Sequence, residues 1–288
     1  MPPSSPSVVA VIAQGAMGAG VGRRLTERGA TVLTSLAGRS PRSAARAAEA
    51  GMRPVSDAEV AGADLVLSIV PPAEARALAE RLAPHLAAAS RKPLYADCNA
   101  VSPETAQGIA EVVAATGAPF VDGGIIGGPP RTDGYTPVLY ASGPGAGALT
   151  ALNEHGLDVR VTPGPVGAAS ALKMSYAGVT KGLVALASAM MVAATRAGAA
   201  EGLFREWERS QPELLAWFRR MVPSSFDKAY RWEGEMEEIA EFVGPDAGAR
   251  DIYQAIARFY AQMAADAAGP NRDTAAITSL LATPPSPR

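Results

Sequence analysis

A glycine-rich turn near the start of the chain constrains the fold more than any other feature. Residues 8–13 form a continuous apolar run typical of a buried strand, and a helical pattern over 18–28 follows. The turn between them consists of Ala13, Gln14, Gly15, Ala16, Met17 and Gly18. This is a G-x-G-x-x-G pattern with alanine in place of the first glycine. The second glycine lets a pyrophosphate approach the backbone, and the third lets the helix pack on the strand. The turn therefore predicts a dinucleotide site, and a glycine-rich turn without a ligand is the alternative.

Strand and helix patterns alternate through the first half of the chain. Strands are predicted at 8–13, 31–36, 64–70, 94–98 and 119–122, and helices at 18–28, 40–50, 73–88 and 103–116. Two later strands, at 138–142 and 159–162, enclose a helix at 146–155. The alternation indicates an α/β fold with a parallel, doubly wound sheet that binds ligands at the carboxyl ends of its strands. We predict a Rossmann-type domain over residues 1–166.

The second part of the chain is helical in pattern. Residues 168–197 contain no proline and are rich in alanine, leucine, valine and methionine. Such a helix would be about 45 Å long, and it is apolar on nearly every side, so it should be buried on several sides. Further helices are predicted at 212–221, 231–242 and 247–267. We therefore expect an all-α domain over 167–288, and the long apolar helix suggests a homodimer.

Composition excludes several classes of protein. A hydrophobic fraction of 48% allows a packed core, and a net charge of −2 argues against a nucleic-acid partner. One cysteine, Cys98, and two distant histidines, His85 and His155, predict neither a disulfide framework nor a metal site. No signal peptide and no membrane span are predicted, so we expect a cytoplasmic protein.

The residues after the second predicted strand bear on the choice of cofactor. NAD-binding domains usually carry an acid there, which holds the ribose 2′-hydroxyl. This chain has no Asp or Glu between Glu27 and Glu49, and it has Arg39 and Ser40 instead. An arginine can hold a 2′-phosphate with two hydrogen bonds. NADP is therefore favoured over NAD, and a solvated loop is the alternative for Arg39.

One lysine in the long helix is the candidate catalytic residue. A dehydrogenase needs a group that exchanges a proton with the substrate oxygen while hydride moves, and the histidines are poorly placed for this role. Lys173 lies among Ala169, Leu172 and Met174, where burial would lower its pKa. Tyr176 and Thr180 follow on the same helix face. The alternative is a structural lysine whose ammonium reaches solvent.

With these motifs in order, the sequence resembles the β-hydroxyacid dehydrogenase superfamily of 3-hydroxyisobutyrate and 6-phosphogluconate dehydrogenases. It looks closest to a branch with a phosphogluconate-dehydrogenase-like C-terminal domain. The segments that carry the resemblance are 13–18, 68–71, 97–103, 122–128 and 164–167 followed by Lys173. The resemblance implies that Lys173 is the general acid/base and that Gly127 and Gly128 bind a substrate carboxylate. It also implies cofactor contacts for Val70, Pro71 and Asn99.

Two positions depart from the family pattern. Ile126 replaces the usual serine of the substrate segment, and Ala177 replaces the usual asparagine four residues after the lysine. Since both family residues help to hold the hydroxyacid, the substrate should be bulkier or less polar than 3-hydroxyisobutyrate. Tyr176 or Thr180 would then take over part of the binding, and Arg131 would bind an anionic group unless it is only a surface residue.

The sequence thus predicts an NADP(H)-dependent oxidoreductase that acts on the hydroxyl or carbonyl carbon of a small hydroxyacid-like substrate. An imine reductase or reductive aminase shares the overall build, but such enzymes usually carry Asp or Tyr in place of the lysine. A non-catalytic NADP-binding sensor is the other alternative, which Ala13, Ile126 and Ala177 would permit.

Overall fold

The structure is a computed structural model that describes residues 6–282. The chain forms two compact units that divide between Met174 and Ser175. The sequence boundary was expected at 166/167. The first part of the long helix belongs with the first unit because it packs directly on the sheet, as shown below.

An eight-stranded sheet forms the first unit. Its strands are β1 (Val8–Ile12), β2 (Thr31–Thr34), β3 (Arg53–Pro54), β4 (Leu65–Ser68), β5 (Leu94–Asp97), β6 (Phe120–Ile126), β7 (Val138–Ser142) and β8 (Asp158–Val161). Their order is β3-β2-β1-β4-β5-β6-β7-β8. The chain leaves β1 toward one edge and later returns to its other side, so β1 and β4 flank the switch point at which such folds bind ligands.

The sheet is mixed, whereas the alternation of elements predicted a parallel one. Strands β1 to β6 are parallel, but β7 is antiparallel to β6 and β8 runs parallel to β7. The connection between β6 and β7 carries no helix. A parallel pair needs a long crossover, usually helical, so this short connection returns the chain in the opposite direction.

Helices cover both faces of this sheet. They are α1 (Ala16–Glu27), α2 (Pro41–Glu49), α3 (Asp57–Val60), α4 (Pro72–Ala88), α5 (Pro103–Ala114) and α6 (Ala146–Leu149), the last continued by a 3₁₀ turn at Thr150–His155. Side chains alternate between two cores. Val9 and Val11 join the core that contains Leu25 of α1, whereas Ala10 and Ile12 join the core that contains Leu82 of α4. This doubly covered sheet confirms the predicted fold class.

The rest of the chain is helical. The long helix α7 (Ala168–Arg196) begins in the first unit and continues into the second. The second unit then contains α8 (Ala200–Ser210), α9 (Pro212–Met221), α10 (Pro223–Phe226), α11 (Ala229–Phe242), α12 (Ala247–Ala268) and α13 (Asp273–Ala282). The sequence missed β3, α3, α8, α10 and α13. Three of these have four residues or fewer, and periodicity is a weak signal at that length.

Only one side of α7 is covered within the second unit. Val184 and Met191 are buried there, whereas a row of apolar side chains at helical spacing is exposed. That row, the α7 stripe, consists of Val179, Leu183, Leu186 and Met190. By length and composition alone α7 could cross a membrane, but half of its most apolar window is buried, and core helices of soluble proteins pass the same test.

Candidate active site

The turn after β1 leaves open space for a ligand. A methyl group at Gly18 would lie 1.8 Å from the Ala13 carbonyl oxygen, so the contact between helix and strand requires glycine. At Gly15 no atom beyond the two adjacent residues lies within 4 Å of such a methyl group, and the φ of −67° suits any residue. Gly15 precedes α1, whose N-terminus has no side-chain cap and no acid in its first turn. The first-turn N–H groups, which have no acceptor within the helix, and the helix dipole favour an anion there.

Among the predicted turn residues, Gln14 uses its side chain internally. The fully buried amide donates to the Thr34 hydroxyl and, at 2.9 Å, to the Ser35 carbonyl. Gln14 therefore joins the turn to the end of β2. Ala16 is exposed and Met17 half-buried beside it.

Arg39 and Ser40 lie just before α2, as the cofactor prediction requires. The Arg39 guanidinium pairs with Glu74 in the first turn of α4, at 3.0 Å. Ser40 caps α2 by accepting a hydrogen bond from the Ser43 N–H. Neither Glu74 nor its pairing with Arg39 was anticipated from the sequence, because the two residues are far apart along the chain.

Asn99 connects the ends of two neighbouring strands. Its side-chain oxygen accepts a 2.6 Å hydrogen bond from the Val70 N–H, and its amide donates to the Ser68 hydroxyl at 2.8 Å. The amide also donates to Asp97 at 2.7 Å. With its side chain used in this way, Asn99 links the segment after β4 to the end of β5. Val70 is buried, and Pro71 is exposed at the start of α4.

Asp97 is a fully buried acid at the end of β5. It accepts hydrogen bonds from the Asn99 N–H at 3.0 Å and from the Asn99 amide. Burial raises the pKa of Asp97 to about 7, although the Asn99 hydrogen bonds oppose the rise; the charge of Asp122 adds to it and that of Lys173 opposes it.

Asp122 fixes the start of α7 on the sheet. Asp122 lies opposite Asp97 in the register of β5 and β6. Its carboxylate accepts hydrogen bonds from the N–H groups of Gly167, Ala169 and Ser170 at 2.9–3.1 Å. The hydroxyls of Ser142 and Ser170 donate to it as well, at 2.8 and 2.6 Å. A carboxylate at a helix N-terminus complements the helix dipole, so Asp122 sets where α7 begins.

Two consecutive glycines bring Lys173 to the carboxyl edge of the sheet. A methyl group at Gly124 would lie 2.8 Å from the Ala169 carbonyl oxygen and 3.1 Å from Lys173 Cβ. At Gly123 it would lie 2.8 Å from the Asp97 carbonyl oxygen. Backbone can therefore pack against backbone only because these side chains are absent. The half-buried Lys173 donates from Nζ to the Asn99 carbonyl oxygen at 3.4 Å.

The predicted substrate segment belongs partly to a strand. Residues up to Ile126 are in β6, and alternation puts Ile126 on the same face as Gly124. Gly127 has a φ of +127° and Gly128 donates its N–H to the Tyr135 hydroxyl at 3.1 Å. Arg131 pairs with Asp133 at 3.0 Å and lies over the Tyr135 ring, so its exposed side chain is engaged within its own loop.

Tyr176 and Thr180 lie on α7 beyond the end of the first unit. The Tyr176 side chain is exposed. The Thr180 hydroxyl donates to the Tyr176 carbonyl oxygen at 2.9 Å, an ordinary contact for threonine in a helix. The structure therefore groups Lys173 with the residues of the sheet edge, whereas these two residues belong to the second unit.

Cys98 is buried, and its pKa is raised by burial and by the neighbouring Asp97. A thiol in this state is a poor nucleophile. Within residues 6–282 no group of three or more His, Cys, Asp or Glu side chains could hold a metal ion.

Comparison with known proteins identifies the family. Residues 8–163 match the family described as the NAD binding domain of 6-phosphogluconate dehydrogenase, and residues 194–263 match a domain of unknown function, DUF1932. The chain therefore belongs to the family with the 6-phosphogluconate dehydrogenase NAD-binding domain, as the resemblance of its motifs predicted.

Individual relatives are similar over most of the chain. An uncharacterized 28.5 kDa protein of Methanothermus fervidus is 29% identical over 215 residues, which cover 74% of this chain and 81% of the relative. A solved conserved protein, described as structurally similar to 3-hydroxyacid dehydrogenases, is 30% identical, with a TM-score of 0.69 and coverage of 91% and 98%.

Two more distant structures share the fold. The 3-hydroxyisobutyrate dehydrogenase of Mycobacterium tuberculosis is 21% identical, with a TM-score of 0.71 and coverage of 96% and 99%. An imine reductase of Streptomyces aurantiacus is 16% identical, with a TM-score of 0.54 and coverage of 96% and 100%. The chain has a hydroxyacid-dehydrogenase-like NAD-binding fold.

Proposed function

We propose that this protein is an NADP(H)-dependent oxidoreductase that interconverts a hydroxyl and a carbonyl group, with Lys173 as the general acid/base. One observation carries the proposal: the Lys173 ammonium lies beside Asn99 at the carboxyl edge of the sheet, where the strands of this fold class present their ligands. The hydroxyacid-dehydrogenase-like fold supports the choice of reaction.

The residues of the turn suit a dinucleotide. The open space at Gly15 and the uncapped N-terminus of α1 suit a pyrophosphate. When bound, a nicotinamide cofactor supplies or accepts the hydride. The protein must therefore provide the binding energy, the orientation and the proton.

Lys173 would exchange the proton with the substrate oxygen. In the direction of reduction its ammonium donates a proton as the carbonyl becomes a hydroxyl, and in oxidation the neutral amine accepts that proton. The 3.4 Å contact with the Asn99 carbonyl directs the ammonium while leaving it further donors.

The substrate proposal is a small acid with an apolar substituent. Gly127, Gly128 and Arg131 are proposed to bind its carboxylate, although the Gly128 N–H and Arg131 both contact Tyr135 in this structure. Ile126, on the same strand face as Gly124, supplies an apolar contact where related enzymes carry serine. Tyr176 and Thr180 are proposed to contribute further contacts.

NADP is the proposed cofactor because no acid occupies the segment after β2. Arg39 is half-buried, and its pairing with Glu74 leaves further N–H donors on the guanidinium for a 2′-phosphate. Glu74 also holds Arg39 in place before the cofactor arrives.

A screen for activity tests the proposal. NADP⁺ and NADPH are offered with hydroxyacids, β-hydroxy amino acids, 2-keto and 3-oxo acids, aldehydes and cyclic imines, and absorbance at the nicotinamide band is followed. Turnover of a hydroxyl or carbonyl substrate supports the proposal. Turnover of imines alone identifies an imine reductase, and cofactor binding without any turnover identifies a sensor.

We also propose that the protein is a cytoplasmic homodimer, with the α7 stripe at the interface. Four exposed apolar side chains at helical spacing form a surface that a second copy would cover. Light scattering during size exclusion should give twice the chain mass, and Leu186→Glu should give a monomer. A monomeric wild-type protein at micromolar concentration would contradict the proposal.

A further inference from the structure

Asp97 is a buried carboxyl group that the proposed reaction does not use. Both of its oxygens accept hydrogen bonds from Asn99, one from the N–H at 3.0 Å and one from the amide at 2.7 Å. The carbonyl oxygen of the same Asn99 accepts a hydrogen bond from Lys173 Nζ. A single residue therefore connects the Asp97 carboxyl to the Lys173 ammonium.

Burying an ionised carboxylate costs free energy unless hydrogen bonds or an opposite charge offset the loss of water. The groups that surround Asp97 therefore decide whether it can ionise. The charged and titratable groups around it are Asp122 on β6, Lys173 on α7, Tyr95 on its own strand and Cys98 directly after that strand. Asp122 accepts hydrogen bonds from three N–H groups at the start of α7. Lys173 is the cation that stabilises ionised Asp97.

The influence between the two groups is mutual. The positive charge of Lys173 lowers the pKa of Asp97, which burial raises to about 7. Coupling between two titrating groups has the same energy seen from either partner, so ionised Asp97 must favour the protonated form of Lys173. The coupling acts close to neutral pH, where a proton-transfer group works.

We propose that Asp97 is a positioning residue for Lys173. Its hydrogen bonds with Asn99 hold the Asn99 carbonyl oxygen against the Lys173 ammonium, and its negative charge favours the protonated form of Lys173. The proposal rests on the proposed function only in treating Lys173 as the proton-transfer group.

Nuclear magnetic resonance of the full chain tests the coupling without any substrate. The sequence has four lysines, Lys92, Lys173, Lys181 and Lys228, so ¹³Cε-labelled lysine gives four signals, and Lys173→Arg identifies one of them. In the wild type the Lys173 signal should shift with an inflection near pH 7, where Asp97 ionises. A Lys173 signal without an inflection near pH 7 would overturn the proposal.

Two variants sharpen the test. Asp97→Asn turns an acceptor into a donor that faces the Asn99 amide, so the inflection should vanish and the Lys173 pKa should fall by about one unit. The exchange Asp97→Asn with Asn99→Asp returns a carboxylate to the cluster, which can still accept from the Val70 N–H, so it should restore a coupled titration. An unchanged Lys173 titration in Asp97→Asn, with the far-ultraviolet circular dichroism preserved, would contradict the proposal. Should Asp97→Asn not fold, the wild-type titration and the exchange variant decide.

A pH–rate profile separates this inference from the proposed function. If the screen yields a substrate, kcat in the wild type should change near pH 7, and this step should be absent from Asp97→Asn. If no substrate is turned over, the proposed function fails, whereas the lysine titration still decides whether Asp97 acts on Lys173.

Discussion

Two helix N-termini of the first unit, those of α7 and α1, differ in how they are capped. At α7 the carboxylate of Asp122 accepts three backbone N–H groups. At α1 no side chain caps the helix, and no acid lies in its first turn. The capped helix end positions Lys173, the proposed proton-transfer residue, whereas the open one is suited to an anion that the chain itself does not supply. The difference shows two uses of a helix N-terminus. Where the chain bonds the backbone N–H groups itself, the helix is held in place, and where it does not, these groups can bind a ligand.

The largest expected effect concerns the residue that the capped end positions. Lys173→Ala should reduce kcat by a factor of about 10² or more, because the proton-transfer group is lost. The Kd for NADP⁺, measured by fluorescence titration, should stay unchanged, because the open end at α1 is intact. Lys92→Ala is the matched control: Lys92 bonds to the end of α4 and lies before β5 at the opposite edge of the sheet. Equal loss of activity in both variants would refute the role of Lys173.

Removing the cap should destabilise the protein. Asp122→Ala leaves three backbone N–H groups and two hydroxyls without their shared acceptor, and each buried unsatisfied group costs about 1–3 kcal/mol. Some of these groups can find water, so we expect a loss of about 3 kcal/mol in the free energy of unfolding by urea. Asp158→Asn, in an exposed ion pair with Arg160, should change it by less than about 1 kcal/mol. If Asp122→Ala also changed the free energy of unfolding by less than about 1 kcal/mol, the stability of α7 would not depend on its cap.

The next prediction concerns the preference of the proposed dinucleotide site for NADP⁺ over NAD⁺. Arg39→Glu should shift the ratio of NADP⁺ to NAD⁺ affinity about tenfold or more toward NAD⁺, because the guanidinium partner of the 2′-phosphate is lost. Arg46→Glu, in the last turn of α2, makes the same charge change as a control. Equal weakening of both cofactors by Arg39→Glu would remove the basis for preferring NADP.

A last expected effect is a dependence of stability on pH. The pKa of Asp97 is raised from about 4 in an unfolded chain to about 7. The folded state therefore binds more protons than the unfolded state between these values, and the contribution of Asp97 to stability falls as pH rises from about 4 to about 7. Relative to the wild type, Asp97→Asn should become more stable across this window, with no further change above it. Urea unfolding at several pH values measures the difference, and a difference that is flat across the window would contradict the raised pKa.

Local patterns were sufficient for much of this structure. The turn at 13–18 and the long helix were predictable because strand, glycine spacing and apolar composition are contiguous in the sequence. Val138–Ser142 and Pro212–Met221 have the predicted bounds. The resemblance of ordered motifs identified the family and singled out Lys173.

Contacts between residues far apart in the chain could not be predicted from local sequence patterns. Gly123 and Gly124 lie within β6, although glycine is depleted in strands, because α7 and β5 approach them too closely for a side chain. Nothing local indicates that Asp122 caps a helix 45 residues later, or that Glu74 pairs with Arg39. The D-x-N spacing of Asp97 and Asn99 is typical of a hydrogen-bonded turn.

A crystal structure with NADP⁺ bound tests the central claim most directly, through the distance from Lys173 Nζ to the reactive carbon of the nicotinamide ring. We expect the ammonium on the substrate side of that ring, within direct or one-water reach of the reacting oxygen. A Lys173 side chain in bulk water, or more than about 10 Å from that carbon, would contradict the account.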